Sequence, residues 1–160
     1  MELSPALRQR LDIQGYGCET DDALARTQLW LRFSPGLCAT IAALGTALAS
    51  PAVLWGLMVF AVLGAVLTFH PFDLIYNYGI RRLTRTPELP RNGAPRRFAC
   101  AMASVWLLAT GALFQAGFDP AGYVLGGALV ATAGLITTTH ICIPSLVYGM
   151  LFGRRNLVQA

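Results

Sequence analysis

The chain has 160 residues, 55% of them hydrophobic and only 12% charged, with a formal net charge of +4. That length allows one domain, and the balance excludes an ordinary soluble globular protein. The excess of arginine does not signal nucleic acid, because it is confined to short segments between long apolar runs, where it sets membrane topology.

Residues 1–31 form a polar, interfacial N-terminal segment. It lacks the apolar h-region of a cleavable signal peptide. Gly15-Tyr16-Gly17-Cys18 reads as a loop and Thr20-Asp21-Asp22 as a helix start, with a side-chain oxygen at the cap and two acids in the first turn. Leu24, Leu29, Trp30 and Leu31 then mix with Arg26 and Arg32 as a lead-in to the membrane, with Trp30 at headgroup depth.

The first span is expected at about 32–49, with Pro35 near its start. Ser50-Pro51 is a tight turn. A second apolar segment, 52–80, is interrupted by His70, Pro71, Asp73 and Asn77. It is longer than a bilayer core of roughly 30 Å, so a kink at Pro71 and an interfacial continuation are expected. Residues 81–97 hold six arginines against Glu88 alone and read as a basic, irregular loop. The third span is placed at 98–116. The fourth covers 121–152, with a kink at Pro144 and an end near Gly153-Arg154-Arg155.

The expected fold is therefore an all-α membrane protein, a single domain of four transmembrane helices in an up-down-up-down bundle. Every arginine lies in the N-terminal segment, the central loop or the C-terminus, which predicts that both termini and residues 81–97 face the cytoplasm. The halves also resemble each other. Gly64, His70 and Tyr78-Gly79 recur seventy residues later as Gly134, His140 and Tyr148-Gly149, and Arg32-Phe33 matches Arg97-Phe98. This is the mark of an internal two-helix repeat, parallel because each half starts and ends on one side. Gly45, Gly56, Gly64, Gly111, Gly126, Gly127 and Gly134 are expected to let helices approach closely.

Helical rise puts His70 and His140, the only two histidines, at the same depth near the cytoplasmic edge of the hydrocarbon. Cys38, Cys100 and Cys142, with Asp73 and Asn77, fall in the same layer. Ionisable groups at that depth are costly and point to function.

Three readings compete. The histidines hold a haem iron between them, or share a transition metal with Cys142 and Asp73. Alternatively Cys142 is a reactive thiol, which requires an accessible, low-pKa thiolate. In the plainest reading the histidines and prolines satisfy backbone groups freed at two kinks, and the cysteines are inert apolar fillers. No zinc or thioredoxin-type CxxC spacing occurs.

The segments H-P-F-D-L-I-Y-N-Y-G-I-R (70–81), P-R-R-F-A-C-A (95–101) and T-H-I-C-I-P-S-L-V-Y (139–148) resemble a bacterial family of small four-helix membrane proteins classed as a domain of unknown function, somewhat like the DoxX-type proteins. The likeness covers about residues 28–153. It implies a polytopic protein of the bacterial inner membrane. Its relatives' company with thioredoxin-like and sulfurtransferase proteins implies redox or sulfur work, with a soluble thiol or sulfur-transfer protein as partner. It transfers no catalytic residue. The expected function is redox, sulfur- or metal-linked through the His/Cys layer. The alternative is a non-catalytic accessory or assembly subunit alongside other membrane subunits.

Overall fold

The computed structural model describes residues 3–17, 19–84 and 86–152, and every regular element in them is helical. Cys18, Arg85 and the Gly153-Arg154-Arg155 end expected for the last span lie outside the described residues.

The N-terminal segment is more structured than a lead-in. Helix α1 (Pro5–Ile13) starts where Ser4 Oγ accepts from the Leu7 N–H at 3.3 Å and Pro5 occupies the first turn. Helix α2 (Asp21–Thr27) begins at the Thr20 cap, as expected. Leu11, Tyr16, Leu24 and Leu31 bury themselves with Tyr76 and Leu89 in a small core of their own. Trp30 belongs to that core's edge, packing on Tyr76 at 4.9 Å.

Four longer helices form the main body: α3 (Phe33–Ala47), α4 (Pro51–Val66), α7 (Ala94–Gln115) and α8 (Asp119–Thr139). Ser50 caps α4 and Pro51 opens it, so the tight turn between α3 and α4 forms as expected. The shared core is built from Ala42, Leu54, Leu57, Ala61, Leu107, Phe114 and Leu129. Helix α4 packs most extensively on α7, and α3 on α8. Of the seven glycines expected at contacts, Gly45, Gly64, Gly111 and Gly126 are pressed by neighbouring side chains, whereas Gly56, Gly127 and Gly134 face open space.

Both apolar segments that carry a histidine break there. After α4, Leu67 turns extended, and the chain resumes as α5 (Pro71–Ile75), a π-turn at Tyr76–Ile80 and α6 (Arg81–Thr84). The axis bends by 83° across the break. Pro71 restarts the helix in its first turn and the His70 side chain caps it, which fulfils the expected kink. In the second half the break comes four residues earlier than expected. His140 adopts the left-handed conformation, φ 57°, and ends α8, while Pro144 sits harmlessly in the first turn of α9 (Ile143–Phe152).

Two helices, α7 and α8, are long and apolar enough to cross a membrane. The pair α4 plus residues 71–84 adds a third if it counts as one broken span. Helix α3 has 15 residues, about 22 Å at the usual rise, and falls short of a span by itself. The chain is thus an all-helical membrane protein with two or three such helices among the described residues.

Candidate functional site

Helix α7 starts at Ala94, four residues before the expected third span. Gly93 precedes it and Pro95 fits its first turn. The consequence is that Arg96 and Arg97, read from sequence as loop charges, are helical and turned to the protein. The two Arg97 donors bind the terminal carbonyls of α4, Ala65 O at 2.8 Å and Val66 O at 2.9 Å. These carbonyls have no partner within their own helix.

Arg96 enters the interior. Its Nη2 lies 3.0 Å from Asp73 Oδ2 and donates to Oδ1 at 3.3 Å, and its Nη1 donates to the Tyr16 hydroxyl at 2.6 Å. The Ser34 hydroxyl also donates to Asp73 Oδ1. Asp73 is 1% exposed. A buried carboxylate is tolerable only with such partners. Burial pushes the Tyr16 phenol up to about 12, the Arg96 charge pulling the other way, so Tyr16 stays a neutral hydroxyl.

Beside this network is a cavity of about 140 Å³ walled by α3, α4, α7 and α8. Its wall is mostly apolar. Cys38 from α3, Cys100 from α7 and Cys142 from the α8–α9 break all line it, with His70 and Arg96. All three are free thiols. The His70 Nδ1 accepts the Phe72 N–H at 3.3 Å. A neutral imidazole that accepts at Nδ1 carries its proton on Nε2. Nε2 is therefore a donor, suited to holding a thiolate rather than to taking a proton, and it and Cys100 Sγ flank the same point beside Gly64.

Gly64 makes room for this imidazole. A Cβ there would lie 3.0 Å from His70 Nε2, 3.2 Å from Cys100 Sγ and closer still to His70 Cδ2. Gly64→Ala is therefore expected to displace His70 and to cost about 1–3 kcal/mol by overpacking. Thermal unfolding with alkylation of Cys100 checks it. An unchanged melting temperature and labelling rate would show that the imidazole has slack.

His140 does not mirror His70. Its Nε2 accepts from Arg32 Nε at 2.8 Å, and its carbonyl accepts from Gln14 Nε2 at 2.7 Å. Arg10 Nη1 binds the adjoining Thr139 carbonyl at 2.8 Å. With its lone pair engaged, His140 is a latch and not a free ligand. Asp73 is likewise committed to Arg96 and Ser34, and Asn77 Oδ1 accepts the Leu89 N–H at 3.0 Å, away from the cysteines. Among the described residues no three His, Cys, Asp or Glu side chains gather into a group able to hold a metal ion, so the expected set of His70, His140, Cys142 and Asp73 is not assembled. Cys142 also differs from expectation. It is 6% exposed, and burial pushes its thiol up, against hydrogen bonds with Ser145 that pull it down.

Burial, then the Arg32 and Arg10 charges, lower His140 from 6.5 to about 4. The fold thus holds the neutral imidazole while the unfolded chain protonates near 6.5. Stability is expected to be lost as pH falls from about 6.5 to 4 and to level off below. Melting curves of wild type and His140→Gln, whose amide oxygen can still accept from Arg32, should diverge across that window. Parallel curves would contradict the assignment.

Residues 28–152 match the family described as Domain of unknown function (DUF4395). No curated protein and no solved structure matches the chain.

Proposed function

The chain belongs to the DUF4395 family, and we propose that it is a multi-pass inner-membrane protein whose cavity cysteines exchange disulfide or sulfane sulfur with a soluble thiol protein on the cytoplasmic side. The observation that carries this reading is the meeting of Cys38, Cys100 and Cys142, from three separate segments, on one cavity with the Nε2 donor of His70.

Several features support the membrane arrangement. Arg81, Arg82 and Arg91 remain in the central connection, on the same side as the basic N-terminal segment under the positive-inside rule. Counting α3 with its preceding 3-10 turn (Trp30–Arg32) as a short fourth span makes an up-down-up-down bundle. The parallel repeat is supported by packing: exchanging α3 with α7 and α4 with α8 maps the α3–α8 contact onto α7–α4, and the α3–α5 contact onto α7–α9.

The chemistry is ordinary thiol–disulfide exchange. A Cys142 thiolate attacks a partner disulfide, forming a mixed disulfide and expelling one partner thiolate. A second cavity thiol, Cys100, loses its proton and attacks the Cys142 sulfur of that mixed disulfide. A Cys100–Cys142 bond forms and the second partner thiolate leaves. Two thiols of this protein are oxidised and one partner disulfide is reduced to two thiols. The His70 Nε2–H stabilises the Cys100 thiolate.

The test is a purified Cys18→Ser protein in nanodiscs with 4,4′-dithiodipyridine. Release of two thiopyridones per protein without a retained pyridyl adduct is the expected result. A protein that releases none, yet remains folded, would favour the accessory-subunit role instead.

A further inference from the structure

The cavity is not closed by the helical bundle alone. Gln14 and Tyr16 form part of its wall, and both precede the family domain, which begins at residue 28. Their segment is held to the body at distinct points. Gln14 Nε2 binds the His140 carbonyl at 2.7 Å, Arg10 binds the Thr139 carbonyl at 2.8 Å, and Arg96 binds the Tyr16 hydroxyl at 2.6 Å. The first two fall on the α8–α9 break, the stretch that carries Cys142. The third falls on the Arg96–Asp73 network.

The backbones also touch. Gly15 has φ +98°, a conformation that favours glycine, and a Cβ on Gly93 would lie 3.1 Å from Gly15 O and 3.2 Å from Gly15 Cα. Two glycines thus allow the segment to lie flat against the start of α7. The segment's contacts with the α8–α9 break and with Arg96 are polar, while Leu11 and Tyr16 are buried in the small core with Tyr76 and Leu89. The apolar side of α1 packs on the small N-terminal core, not on the core of the main body. Such a unit can open without unfolding the bundle.

We infer that residues 3–17 are a lid over the thiol cavity, latched by Gln14, Arg10 and Tyr16, and that its opening governs access to Cys142. This reaches beyond the exchange function, because it concerns access and holds whatever the thiols do. It also accounts for a buried Cys142 in a site that must meet a partner.

The experiment measures labelling of Cys142 by methyl methanethiosulfonate in the full-length Cys18→Ser protein in nanodiscs, at one fixed pH. Two variants act by different means. Gln14→Ala removes a latch bond, and Gly93→Ala inserts a methyl group under Gly15 without disturbing an allowed backbone. Each is expected to raise the Cys142 labelling rate about tenfold, the effect of losing roughly 1.4 kcal/mol of closure. The melting temperature of the main transition should hardly move. Hydrogen exchange on the unmodified protein gives a reading free of substitutions: the α1 amides should exchange well before those of α7. Unchanged labelling in both folded variants, or α1 amides that exchange only with global unfolding, would overturn the lid. Sulfur or disulfide exchange is not read out, so a failed exchange assay leaves this result standing, and the reverse.

Discussion

Arg96→Met is expected to be the most damaging single substitution, lowering stability by about 3–5 kcal/mol. Methionine approximates the length of the arginine stem, so the loss is chiefly electrostatic. Asp73 would be left buried, with only the Ser34 hydroxyl from the present network and no positive charge within contact. Tyr16 would lose its strongest partner at the same time. Combining Arg96→Met with Asp73→Leu should recover most of the loss, since an apolar pair of similar volume often replaces a buried ion pair at little cost. Unfolding in detergent, followed by circular dichroism, checks both. If the single variant melted with the wild type, Asp73 would have to reach water or another cation.

The second large effect concerns the thiols. Cys142→Ser is expected to abolish thiopyridone release from the cavity, because serine cannot open a disulfide at neutral pH. With Cys38 and Cys100 both replaced by serine, the protein should release one equivalent and stop, leaving the pyridyl group on Cys142, because no resolving thiol remains in the cavity. The serines are nearly isosteric with the cysteines they replace, so melting temperatures should shift by no more than about 1–2 kcal/mol equivalent. Intact-mass measurement distinguishes the trapped adduct from the disulfide. Full release from the Cys142→Ser protein would assign attack to another residue.

Local signals in the sequence specify much of this architecture. His70-Pro71 marks a break because proline cannot continue the preceding helix but readily starts the next. Thr20-Asp21-Asp22 and Ser50-Pro51 mark starts for comparable reasons. The α1 start was equally written, in Ser4-Pro5 followed by Leu7 and Leu11 one turn apart, but polar surroundings disguise a helix that buries only Leu11 deeply. Arg96 is the instructive miss. Six arginines in seventeen residues read as one solvated run, yet Gly93 and Pro95 begin a helix inside that run and turn Arg96 inward. The repeat misleads in the opposite sense. His70 and His140 match in sequence, but one caps its own helix and lines the cavity, while the other accepts from Arg32. Tertiary partners decide that difference, and they come from α1 and the 3-10 turn, which the second half lacks. The cysteines, in contrast, were readable by depth alone, because helical rise places Cys38, Cys100 and Cys142 at one level whatever their rotation.

The central claim is that three thiols from separate segments share one cavity. It is tested most directly by mild oxidation of the Cys18→Ser protein in nanodiscs, followed by digestion and mass spectrometry of the non-reduced peptides. The expected product is an intramolecular disulfide joining the Cys100 peptide to the Cys142 peptide. Cysteines that stay unlinked, or that pair only between molecules, would contradict it.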